Sequence, residues 1–124
     1  MPFLDITVFE HTREERAALS QRLTEALTSA WGIPADIVTL YYQVLRDGDC
    51  AHAGALVPAR EARVFIKVHA FPRPVALKRE AAQAMCRACA ELLRLPPKAI
   101  AIYFLEREHQ DVSHAGVLAL DETN

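Results

Sequence analysis

A chain of 124 residues, 52% hydrophobic and 24% charged, fits one compact domain with its own core. The formal net charge of −2 gives no basis for nucleic acid or an anionic membrane as the main partner. No apolar run approaches the roughly 20 residues of a membrane span. The start Met1-Pro2-Phe3-Leu4-Asp5 lacks the basic and long apolar segments of a signal peptide, so the cytoplasm is the expected compartment.

Phe3 to Phe9 alternates, with Leu4, Ile6 and Val8 on one side, and predicts a strand. Thr12-Arg13-Glu14-Glu15 is a capping box and starts a helix. Leu19, Leu23, Ala26, Leu27, Ala30 and Trp31 recur on one helical face, and Gly32 is placed to end it. Ile37 to Leu45 is rich in β-branched and aromatic residues and predicts a second strand, with Tyr41 and Tyr42 on opposite faces. Arg46 to Ala62 carries Asp47-Gly48-Asp49 and Pro58 and reads as a turn and a loop. Arg63 to Phe71 predicts a third strand. A helix then runs from Pro74 to about Arg94, where Pro96-Pro97 enforces its end, and Ala99 to Leu105 predicts the last strand. Cys86-Arg87-Ala88-Cys89 falls deep inside this helix, which favours core cysteines. A redox pair belongs at a helix N-terminus, and zinc needs two further ligands.

The chain is one module written twice. His52-Ala53-Gly54-Ala55-Leu56 returns as His114-Ala115-Gly116-Val117-Leu118, at an offset of 114 − 52 = 62. The same offset pairs Tyr41 with Tyr103, Pro34 with Pro96, Phe9 with Phe71, and Phe3 with Phe65. The pseudo-repeats span residues 2–56 and 64–118 of a single 1–124 domain. Each copy reads strand–helix–strand, with a right-handed crossover and parallel strands. The expected fold is α+β: two tandem β-α-β modules forming a four-stranded sheet with both helices on one face. The other face is bare and partly apolar, so self-association into a closed ring is the expected cover.

Pro2 is the sharpest chemical signal. Removal of Met1 leaves a secondary amine, which works as a base near neutral pH only if its protonated form is disfavoured. Pro2 opening the first strand, the repeated β-α-β module and the Gly-containing turn after the last strand resemble the tautomerase superfamily, over nearly the whole chain. The resemblance implies a homotrimer in which Pro2 is the catalytic base or acid. It also implies that Arg73, beside a helix N-terminus, holds a substrate carboxylate. It points to Tyr103 and His114 as further catalytic candidates and to His11, the repeat partner of Arg73, as a further substrate-binding one. No metal or organic cofactor is implied.

This sequence departs from the superfamily's subgroups. Ala70 stands where the dehalogenases carry a second arginine, and His114 where they carry an acid that activates water. Phe71 replaces an arginine of the decarboxylases, and Thr39 one of the single-module tautomerases. The expected activity is therefore tautomerisation of enol or dienol forms of small 2-oxo carboxylic acids. The alternatives are a cofactor-free hydratase, dehalogenase or decarboxylase of three-carbon acids, and a non-catalytic trimeric interaction protein.

Overall fold

The alternating strand β1 (Phe3–Phe9) sends Leu4, Ile6 and Val8 into full burial. Its successor α1 (Arg13–Trp31) opens on the capping box. The Glu15 amide donates to the Thr12 hydroxyl at 3.0 Å, and the Thr12 amide donates to the Glu15 carboxylate at 2.8 Å. The Thr12 backbone hydrogen bond holds the Glu15 carboxyl below its ordinary value. Gly32 closes the helix in the left-handed region at φ 65°. These coordinates, a computed structural model, describe Pro2–Glu122. Met1, Thr123 and Asn124, the outermost residues of the expected unit, lie outside the described residues.

β2 (Thr39–Leu45) runs parallel to β1. It starts later than Ile37, because Ala35–Ile37 forms a turn of 3-10 helix in which the Val38 amide donates to the Ala35 carbonyl at 3.1 Å. Arg46 to Ala62 is more ordered than a loop. It contains a hairpin of β3 (Ala51–His52) and β4 (Ala55–Leu56), and a 3-10 turn at Ala59–Glu61 tied to Asp47 by the Ala59 amide at 2.9 Å. Ala53 and Gly54 both take positive φ, 53° and 83°, the backbone that a two-residue hairpin with the right twist requires.

The second module repeats the plan. β5 (Val64–Ala70) leads into α2 (Val75–Leu93), then β6 (Ile100–Glu106), and then a hairpin of β7 (Ser113–His114) and β8 (Val117–Leu118). Here the helix ends on Arg94, left-handed at φ 57°, where the first copy has Gly32. The sheet order is β2-β1-β5-β6, with β1 antiparallel to β5 and β5 parallel to β6. The central antiparallel pair makes one sheet of two modules.

Both helices pack on one face of that sheet. Leu19, Leu23 and Leu27 of α1 and Ala81, Met85, Ala88 and Cys89 of α2 meet Ile6, Ile66 and Val68 in a single core. Each fully buried aliphatic side chain contributes roughly 1.5–3 kcal/mol relative to exposure. Burial pushes the Cys89 thiol up to about 12, which makes Cys89 a packing element of the core, while Cys86 is partly exposed. Tyr42 turns beneath α1, with its hydroxyl 2.7 Å from that of Ser20.

The opposite face is open. Backbone register lays Thr39, Phe3, His69 and Leu105 in one row across it, and Tyr41, Asp5, Lys67 and Tyr103 in the next. Tyr41 and Tyr103, each 58% exposed, stand on the two edge strands. No helix among the described residues is long and apolar enough to cross a membrane.

Candidate active site

Pro2 is fully buried at the mouth of β1, and its carbonyl accepts the Thr39 amide at 3.5 Å. Beside it lies a cleft of about 280 Å³, walled by Phe3, Ile37, Thr39, Tyr41 and His114. Four separate parts of the chain build this cleft. The parallel register of β1 and β2 brings Thr39 opposite Phe3 and puts Tyr41 two residues further along the same face. The 3-10 turn before β2 supplies Ile37. The β7–β8 hairpin crosses back from the far edge strand and delivers His114. This return is possible because β5 and β6 end where β1 begins: His69 pairs with Phe3, and Leu105 with His69.

A second, smaller hollow of about 60 Å³ adjoins this cleft, sharing Phe3 and His114 and adding His69, Phe71 and Val112. The Phe3 ring stacks on His69 with centroids 4.3 Å apart and meets Tyr41 edge-on at 6.0 Å. His69 Nε2 lies 2.9 Å from the Asp5 carboxylate. Phe71 in turn stacks on His109 at 4.0 Å. The wall is thus aromatic and braced. Among the described residues, neither Lys, Arg, Asp nor Glu lines the Pro2 cleft.

The five residues singled out from sequence have different fates. Pro2 and His114 come together in one cleft. Arg73 stands at the same end of the sheet but turns away from it. Its guanidinium lies 4.7 Å over the Trp31 ring and donates to the carbonyls of Phe71 at 3.0 Å and Pro72 at 3.4 Å. The Arg73 amide donates to the Glu106 carboxylate at 2.7 Å, and Lys78 reaches the same carboxylate at 3.1 Å. These contacts, the backbone one first, hold the Glu106 carboxyl below its ordinary value.

Tyr103 does not reach Pro2 within one chain. It sits on the edge strand β6, opposite Lys67 and 4.5 Å from the Phe65 ring. His11 lies beyond the other end of β1, about 20 Å from Pro2 at the usual strand rise. There its Nδ1 meets the Phe9 carbonyl at 2.8 Å, and its Nε2 accepts from Arg16 at 3.0 Å. Antiparallel pairing explains the split between the repeat partners: the end of the third strand belongs to the Pro2 site, and the end of the first does not.

Tyr41, which sequence reasoning did not single out as a site residue, lines the cleft. The available signal was the parallel pairing of the first two strands, which sets Thr39 beside Phe3 and Tyr41 beside Asp5 on the face that Phe3 shares. The Asp5–His69 pair left no sequence signal, because its members are 64 residues apart and meet only through the central antiparallel pairing.

No protein-family model matches this chain, and no curated protein matches it significantly. Solved structures do match in fold. The asymmetric trimer of wild-type F6 fused 4-OT superposes with a TM-score of 0.89 at 24% identity, over 95% of this chain and 96% of that one. A malonate semialdehyde decarboxylase gives 0.76 at 20% identity, over 94% and 93%. N1, a member of the cis-3-chloroacrylic acid dehalogenase family, gives 0.76 at 21% identity, over 94% and 82%.

Proposed function

We propose that this chain, which has the fold of the tautomerase superfamily, is a tautomerase of small 2-oxo carboxylic acids that works through the amino group of Pro2 after Met1 is removed. The observation that carries the reading is the burial of Pro2 against a cleft holding His114 and Tyr41. Burial disfavours the ammonium form and lowers the amine's pKa toward working pH, where a base is most effective. Pro2 takes the proton from an enol hydroxyl or adjacent carbon and returns it elsewhere on the substrate. His114 hydrogen-bonds the reacting oxygen.

Arg73 is the carboxylate anchor in this scheme. It exchanges its bonds to the Phe71 and Pro72 carbonyls for a bidentate carboxylate, which is the stronger interaction. Tyr103 acts only across a subunit boundary. Three copies joined through the open sheet face bring it to a neighbour's cleft, and fused 4-OT, of the same fold, is a trimer. The absence of any acidic residue from the Pro2 cleft favours proton shuttling over the water activation that hydration or dehalogenation needs.

Intact mass and ketonisation of phenylenolpyruvate and 2-hydroxymuconate test the reading together. The expected result is a chain lacking Met1 whose kcat falls about 10²- to 10⁴-fold in Pro2→Ala. A retained Met1, or equal rates in the two proteins, overturns it. Turnover of acetylenic or 3-oxo acids with no ketonisation moves the assignment to a hydratase or decarboxylase.

A further inference from the structure

We infer that the Val64 end of the sheet carries a second binding site, for a small carboxylate, without the free amine of the Pro2 end. A cleft of about 430 Å³ opens there, larger than the one beside Pro2 and within the size range of small-molecule sites. Two of its wall positions are repeat counterparts of the first: His52 stands for His114 and Ala99 for Ile37. Val64, the counterpart of Pro2, is fully buried and lies next in the chain to the wall residue Arg63. The equivalent hairpin and 3-10 turn of each module thus contribute to each cleft.

The chemistry of the two walls differs. The second cleft adds Arg63, from the entry to β5, and Lys98, from the 3-10 turn before β6, against a single carboxylate, Glu61. Both cations are exposed, and neither takes part in any ion pair among the described residues. A guanidinium and an ammonium held on separate elements around a concave surface suit a carboxylate. The first offers a two-pronged hydrogen bond and the second a point charge. His52 and Glu61 remain to bind a neighbouring carbonyl or hydroxyl. The amine chemistry of the Pro2 end is not available there. Arg63 precedes Val64, so that nitrogen is a peptide amide and never a free amine.

The inference stands whether or not Pro2 is catalytic, and it is tested by binding alone. Full-length protein labelled with ¹⁵N is titrated with pyruvate at constant ionic strength, as wild type, as Pro2→Ala, and as Arg63→Gln/Lys98→Gln. The expected result is saturable shifts at the amides of Cys50 to His52 and of Arg63 that persist in Pro2→Ala. The double variant should bind at least tenfold more weakly at these amides while keeping the wild-type fold pattern elsewhere. Shifts confined to the Pro2 cleft, an unchanged affinity in the double variant, or the same shifts from sodium chloride each overturn the inference.

Discussion

At one end of the sheet, a buried proline meets an aromatic cleft with no lysine, arginine, aspartate or glutamate in its wall among the described residues. At the other, Arg63, the residue before a buried valine, helps line a cleft with two cations and a carboxylate. The backbone beneath them is the same module, down to helices of 19 residues and hairpins turning through Ala-Gly. Duplication thus fixes where a pocket lies, and side chains at a few wall positions fix what it can do. The first end can host a free amine only because Pro2 lies next to Met1. The second, inside the chain, has no such amine.

The largest expected effect sharpens that contrast at one repeat position. Pro2→Ala should abolish most turnover with little loss of stability. Val64→Ala should do the reverse, leaving kcat unchanged while costing about 2 kcal/mol, because it opens a cavity in a fully buried site. Ketonisation rates and urea midpoints read the two effects, and a Val64→Ala chain that loses turnover at full stability would break the comparison.

The paired histidines come next. His114→Ala should lower kcat about 10²-fold as a group lost from proton transfer or oxyanion stabilisation. His52→Ala should leave kcat as it is. Equal losses in both would mean that these histidines hold their hairpins rather than act on substrate.

The helix ends differ by about 1 kcal/mol in the same spirit. Gly32 takes its left-handed backbone without penalty, while Arg94 takes a similar one with a Cβ in the way. Arg94→Gly should raise stability by roughly 0.5–1 kcal/mol, and Gly32→Ala should lower it by a similar amount. Thermal midpoints that move in the opposite sense would show that the Arg94 side chain contributes more than its backbone costs.

The smallest effect is acid-sensitive. The carboxyl of Glu106 is held below its ordinary 4.5 by the Arg73 amide first and Lys78 second. Its stabilising contribution is therefore complete above that ordinary value and is lost as pH falls through the lowered one. Glu106→Gln should flatten the acid limb of the stability curve below about pH 4.5. An unchanged limb would mean that the pairing is too exposed to count.

Local pattern and repetition settle a great deal from the sequence of this protein. Alternation at Leu4, Ile6 and Val8, the Thr12–Glu15 box and the offset of 62 give two β-α-β modules and a sheet with one covered face. These signals are short-range, or recur in both copies, so no long-range contact is needed to see them. Pro2 and His114 become candidates through the resemblance to the tautomerase superfamily, which pattern alone does not supply.

Tertiary structure alone decides how the modules join and what each pocket receives. The antiparallel β1–β5 pair places the end of one module's first strand beside the start of the other's. That single pairing puts Arg73 and the His114 hairpin at the Pro2 end and His11 at the opposite one. It also brings Asp5 to His69. The sheet order then puts β2 beside β1 and β6 at the far edge, so that Thr39 and Tyr41, rather than Tyr103, line the cleft. Which way the Arg73 guanidinium points is a choice between an indole face with two carbonyls and the cleft beyond them. Such choices depend on groups distant in sequence and close in space, and periodicity along the chain carries no information about them.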